Sequence, residues 1–291
     1  MILLSTKGKL FFFFLLASVG LQAQFAPEIA HKIYDVNQQK EITLDELAAG
    51  MEEVDVLFWG ETHDDSLGHV LQSQLYTRLL NKYGRVTLSM EMFETDCQYV
   101  LDEYLAGFIT EDKMIKDARA WRNYDPAYRR MVEEARNRSQ VVIAANAPRR
   151  YVNMISRKGL EVLPQLPKTS REYLPPLPIY TADSAYYERF QEAMGGAGHG
   201  MSDNFYYAQC MWDASMSYQV YRHWKKHKKE LIFHLNGSFH TDFRQGTYGQ
   251  LQQLNKKLNL RNISCKKVNN LEEVFWEEYK DLADFIIVTG N

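Results

Sequence analysis

Hydrophobic residues along this chain fall into short runs that stop at polar residues, and two of the runs end alike. Val54 to Trp59 leads into Gly60-Glu61-Thr62-His63, and Leu231 to Asn236 leads into Gly237-Ser238-Phe239-His240. Apolar runs of this length, bounded by glycine, predict strands buried on both faces, as in a parallel sheet. A polar residue just past such a strand sits at the carboxyl edge, where open α/β folds place their ligands. The repeated Gly-x-x-His unit therefore predicts two imidazoles, far apart in sequence, meeting along one edge.

Between these runs strand and helix patterns alternate. Thr43-Leu-Asp-Glu46 has the form of a capping box that starts a short helix. Asp64-Asp65-Ser66 can cap a helix with Leu67, Leu71, Leu75 and Leu79 as its buried stripe, closed by Gly84. Arg85 to Glu91 predicts a second strand and Val141 to Ala145 a third, leading into Asn146-Ala-Pro-Arg149. Thr95-x-x-Gln98 is expected to cap a helix, and Asp125-Pro126 to open another with proline in its first turn. Five prolines between Pro164 and Pro178 break the alternation. A helix over Ser184–Met194, the run Gly195 to Gly200 and a long helix from a Ser202 cap to about His227 follow. Strand patterns return at Leu231, at Ile263–Val268 and at Phe285–Val288. The fold class this predicts is α/β, with a mainly parallel sheet flanked by helices. A helical insertion, approximately 149–228, would lie over the carboxyl edge of the sheet.

The N-terminus changes the picture in one respect. Lys7 and Lys9 precede the apolar run Leu10–Val19, and small residues surround Ala23. This predicts a signal peptide over 1–23 and an exported domain over 24–291, periplasmic or secreted. The run is short for a bilayer span, and the first cysteine is Cys97, so no lipid-bearing cysteine follows the cleavage site. A net charge of −3 over 291 residues gives no footprint for nucleic acid. Cys97, Cys210 and Cys265 have core-like flanks and read as buried thiols.

Candidate chemistry concentrates at the predicted strand ends: His63, Glu91, Asn146 and His240. Imidazole and carboxylate are suitable ligands for a divalent first-row metal, and two histidines with one carboxylate make an open site. Glu61 and His69 could add a ligand or orient an imidazole. His223-x-x-x-His227 has the helical spacing of a metal pair. Its neighbours Lys225, Lys226, Lys228 and Lys229 favour a cationic last turn that complements the helix dipole. The glycine run follows a helix instead of a strand, so it reads as a helix end and hinge and not as a phosphate loop; His199 within it could reach a site on the sheet edge. Phe205 to Trp212 spreads aromatic residues over several helix faces, which fits core packing and also suits a flat apolar ligand. The chain has neither a Gly-x-Ser-x-Gly elbow nor a Cys-x-x-Cys pair.

An ordered set of motifs resembles the ChaN family of haem-binding uptake proteins in the Tiki superfamily. The set comprises Gly60-Glu-Thr-His63-Asp with His69 and Gln72, Met90-Glu91-Met92, Trp121, Asn146-Ala-Pro-Arg149, Gly198-His199-Gly-Met201, Gln209-x-x-x-Asp213-x-x-Met216 and Gly237-x-x-His240. The resemblance runs from about Val54 to Val288. It implies a three-layer α/β core and haem as cofactor, with a tyrosine as iron ligand and a homodimer around two stacked haems. It further implies work alongside outer-membrane haem uptake machinery in iron acquisition. Tyr206, Tyr207, His199 and Arg149 are the residues expected at the haem. The wider superfamily includes metal-dependent hydrolases of the Tiki and erythromycin-esterase type. They imply an alternative in which His63, Glu91, His240 and His69 hold a metal, with Glu61 or Glu91 as general base.

Overall fold

The computed structural model describes residues 30–195 and 203–290. The predicted signal peptide, Ser202 and His199 lie outside these residues. Strands β1 (His31–Asp35) and β2 (Lys40–Ile42) form a hairpin ahead of the predicted alternation. Helix α1 (Leu44–Ala49) starts at the Thr43 capping box, with both reciprocal hydrogen bonds made. Strand β3 (Val56–Glu61) leads through the Asp65 cap into α2 (Ser66–Tyr83), which stops at Gly84 with φ 74°. Strand β4 (Val86–Glu94) is followed by α3 (Gln98–Leu105), α4 (Glu111–Asp117) and α5 (Arg129–Asn137).

Two predicted helix starts are built differently. Thr95 turns its hydroxyl to the Tyr173 carbonyl, and Gln98 spends its amide on the backbone of Val142 and Ala144. Asp125-Pro126 sits inside a π-turn, Tyr124–Tyr128, that precedes α5.

Strand β5 (Val142–Asn146) precedes α6 (Arg149–Lys158), the short α7 (Lys168–Arg171), α8 (Ser184–Ala193) and the long α9 (Asn204–Lys226). The chain closes with β6 (Leu231–Gly237), α10 (Gly246–Leu254), β7 (Leu260–Val268) and β8 (Phe285–Gly290).

The strands form one sheet in the order β2-β1-β8-β7-β3-β6-β4-β5. The six from β8 to β5 run parallel, and the hairpin joins antiparallel through β1. The α/β class with a mainly parallel sheet is thus what the alternation predicted. Side chains alternate across the sheet as strand geometry requires. Leu57, Trp59, Phe233 and Leu235 enter the larger core, while Val56, Phe58 and Ile232 face Val220 of α9 and Leu251 of α10. Cys97, Cys210 and Cys265 are free and buried.

The topology explains the repeated motif. Strand β6 inserts between β3 and β4, so the two apolar runs are direct neighbours, paired Gly60 with Asn236 and Glu61 with Gly237. The repeat is therefore offset by one residue across the pair, and both of its ends open on the same edge.

Candidate functional site

Each glycine of the repeated unit is there because another atom needs the space. A Cβ on Gly60 would come within 2.9 Å of the Ser238 Cα and 3.2 Å of the Ile263 carbonyl, so the turn after β6 folds directly onto β3. A Cβ on Gly237 would meet His63 Nε2 at 2.7 Å. The His63 ring thus lies over the end of β6, on the side where the carboxylate of Glu91 on β4 also approaches Gly237.

Two imidazole–carboxylate couples flank that carboxylate. In the first, His63 Nδ1 is 2.8 Å from Glu61 Oε1. Glu61 is fixed by the Tyr128 hydroxyl at 2.6 Å and by the Gln72 amide. The bond to Glu61 raises the His63 pKa, burial opposes it, and Glu91 adds to the rise. In the second, His240 Nδ1 lies 2.6 Å from Asp213 Oδ1 on α9, and Gln209 Nε2 is 3.2 Å from the same nitrogen. Asp213 also accepts from Tyr186 and Thr247, each at 2.8 Å. Burial works to lower the His240 pKa, but Asp213 and then Glu91 outweigh it and push the imidazole up to about 9. Between the couples, Glu91 Oε2 accepts the Gly237 N–H at 2.7 Å, and Oε1 stands 3.7 Å from His240 Nε2. A carboxylate on Nδ1 fixes ring orientation and directs Nε2 outward, an arrangement suited to proton transfer or to holding a ligand.

The edge opens into two adjoining depressions. One, of about 440 Å³, is lined by Glu61, His63, Gly237, Phe239 and His240. The other, of about 630 Å³, is walled by Trp121, Val152, Phe205, Ala208 and Trp212, with Glu91, Asn146 and Arg149 as polar points. Phe190, Met194 and Gln209 line both. The Arg149 guanidinium is exposed, 5.9 Å over the Trp121 ring and 3.6 Å from Glu94.

The structure thus brings His63, Glu91, His240, Glu61, Asn146 and Arg149 to one place. His69 is drawn inward instead: Nδ1 lies 3.1 Å from Gln72 Oε1 and Nε2 3.1 Å from the His63 carbonyl, so both nitrogens face oxygen and neither is left for a metal. Tyr206 also departs from expectation. It is buried among Tyr186, Tyr187 and Phe190, its hydroxyl donates to the Asp183 carbonyl, and it lines a separate hollow of about 50 Å³. Tyr207 is half-buried beside it, and no tyrosine lines the larger depression among the described residues. Tyr128 and Tyr186, which hold Glu61 and Asp213, gave no signal in the sequence. Gln209 and Asp213 did, as the Gln209-x-x-x-Asp213 motif of the family resemblance.

The chain is thus an α/β protein with a parallel sheet, paired histidines and an apolar hollow at the carboxyl edge, the place where such sheets commonly bind ligands. The sequence matches the family model described as haem-binding uptake, Tiki superfamily, ChaN, over residues 47–251, and the chain belongs to that family. A solved structure described as cofacial haem binding to ChaN of Campylobacter jejuni is 15% identical. The similarity covers 90% of this chain and 97% of that one with a TM-score of 0.68, which shows a shared fold. The erythromycin esterase EreC is more distant, 11% identical over 82% of this chain and 77% of that one, with a TM-score of 0.47. No curated protein sequence matches the chain.

Proposed function

We propose that this protein is exported and binds haem in the depression of about 630 Å³, serving haem or iron acquisition. The carrying observation is the shape and chemistry of that hollow: aromatic and aliphatic walls with one exposed guanidinium at the rim. A porphyrin is flat and apolar with anionic propionates, so the residues present fit it. Trp121, Val152, Phe205 and Trp212 would hold the macrocycle, and Arg149 would pair with a propionate. Bound haem would supply an iron centre able to take a protein or small-molecule ligand. The exposed side chain of Phe205 at the mouth supports a dimer in which two bound haems stack. The N-terminal segment supports the export reading.

Haem titration of the purified protein tests this. The expected result is a saturable Soret band, with affinity weakened about 10- to 150-fold by Arg149→Glu, since losing a charge-assisted contact costs on the order of 1.5–3 kcal/mol. A spectrum indistinguishable from that of haem with an unrelated protein would overturn the reading.

A second reading is a metal-dependent hydrolase built on the two imidazole–carboxylate couples beside Glu91; it requires His63 to close on Glu91 and His240, since the ligand atoms of these three do not all lie within 4.8 Å of one another. There His63 and His240 would hold the metal, and Glu91 or Glu61 would serve as general base. It predicts ester or peptide hydrolysis that is restored by a divalent metal after chelation and lost in His63→Ala with His240→Ala. Turnover unchanged in that double variant would exclude it.

A further inference from the structure

At the amino edge of the sheet, opposite the hollow, α9 ends where β6 begins. Its last turns stack the rings of His223 and His227, with centroids 4.4 Å apart and planes 16° from parallel. The chain then reverses tightly, the Glu230 N–H donating to the His227 carbonyl at 3.0 Å. The reversal turns the Glu230 carboxylate back onto both imidazoles: Oε2 lies 3.5 Å from His223 Nε2 and Oε1 lies 3.5 Å from His227 Nδ1. One ligand atom from each of the three residues lies within 4.8 Å of the others, the one such group of histidine, cysteine and carboxylate side chains among the described residues.

We propose that His223, His227 and Glu230 form a binding site for a divalent first-row transition metal ion, zinc being the reference case. Two imidazoles and a carboxylate form a mixed nitrogen–oxygen set that suits zinc, nickel or copper better than calcium or magnesium, which prefer all-oxygen cages. Three protein ligands leave coordination positions open, and both histidines line a cavity of about 470 Å³ into which those positions can face. A second contact supports the site. The Thr87 hydroxyl of β4 is 2.8 Å from His223 Nε2 and 3.4 Å from Glu230 Oε2. When metal takes the imidazole nitrogen, the hydroxyl can turn to the carboxylate and hold it in place. Arg85, 3.3 Å from Glu230 Oε1, must release that oxygen, which sets a ceiling on affinity. The lysines that make this turn look like a dipole cap in the sequence lie around the site, and Glu230, four residues beyond the helix end, completes it.

The test is calorimetric titration of zinc into the full chain purified without a histidine tag. One equivalent is expected to bind. His227→Ala, at an exposed position that leaves the fold intact, and Glu230→Gln should each weaken it by at least the 10–100-fold typical of losing a supporting contact. Thr87→Val should weaken it about tenfold. Cobalt substituted for zinc should give a visible absorption band that His227→Ala removes. The double change His63→Ala with His240→Ala should leave this equivalent in place. No binding, binding unaltered in His223→Ala with His227→Ala, or binding lost with His63 and His240 would each overturn the proposal.

Discussion

Two histidines meet a glutamate at each edge of this sheet, and the two meetings are built on opposite plans. At the carboxyl edge His63 and His240 each have a carboxylate on Nδ1, Glu61 and Asp213, and Glu91 stands 3.7 Å from His240. At the amino edge the imidazoles stack on each other and share the single carboxylate of Glu230. Strand β4 runs between the two, and alternate residues of one face each meet a histidine. Thr87 meets His223 at 2.8 Å, Ser89 meets His234 at 2.8 Å, and Glu91 meets His240 at 3.7 Å. The middle imidazole is wholly enclosed, and burial, with the charge of His240 adding to it, pushes its pKa down to about 3. A neutral ring therefore separates the ends. Burial works against the charged form of both His240 and His223, but only His240 has carboxylates enough to outweigh it, so its pKa rises while that of His223 falls.

The sharpest way to break this comparison is to remove one anchor at each edge. Asp213 is fully buried and is the partner that keeps His240 charged. Asp213→Ala strands that charge and leaves Tyr186 and Thr247 without their acceptor. Urea unfolding should show a loss of about 3–5 kcal/mol, the usual cost of breaking a buried ion pair from one side. The matching change at the amino edge, Glu230→Gln, removes a carboxylate paired with the largely exposed Arg85. In metal-free protein it should cost about 1 kcal/mol or less. Equal losses in the two variants would mean that the edges are not built differently.

How much of this was legible in the sequence depends on the range of the signal. Apolar runs ending in Gly-x-x-His are local, and they located β3 and β6 and the edge on which His63 and His240 meet. Asn146 followed from the same reasoning about strand ends, and Arg149 from the family resemblance. The hairpin β1–β2 was missed because its strands, of five and three residues, are too short and too mixed in polarity to give a period. His69 carries the residue type of a ligand, but only the fold shows its ring turned onto the His63 carbonyl. Tyr206 lay in an aromatic cluster that suited either core or ligand, and Tyr186, Tyr187 and Phe190 of α8 settled it as core. Glu230 escaped notice beside four lysines, since nothing in a charge pattern reveals that a tight turn aims one carboxylate back at two rings.

The comparison also has a titration signature, smaller than the loss at Asp213. His240 has a folded-state pKa near 9 against about 6.5 for an unfolded histidine. Between those values the native state holds a proton that the unfolded chain releases. Stability from this group is therefore fully present below about pH 6.5 and is lost as pH rises through about 9. The raised pKa of His63 adds in the same direction. His223 works the opposite way: its folded pKa is lowered, so it favours the native state above about pH 6.5 and opposes it as pH falls. Chemical denaturation between pH 6.5 and 9.5 should thus show stability declining with pH, and His240→Gln should flatten that decline. His227→Ala, by relieving the repulsion that helps to lower His223, should leave the alkaline slope alone and alter only the acidic limb. An alkaline slope unchanged in His240→Gln would show that Asp213 does not hold that imidazole charged, and the contrast between the edges would lose its physical basis.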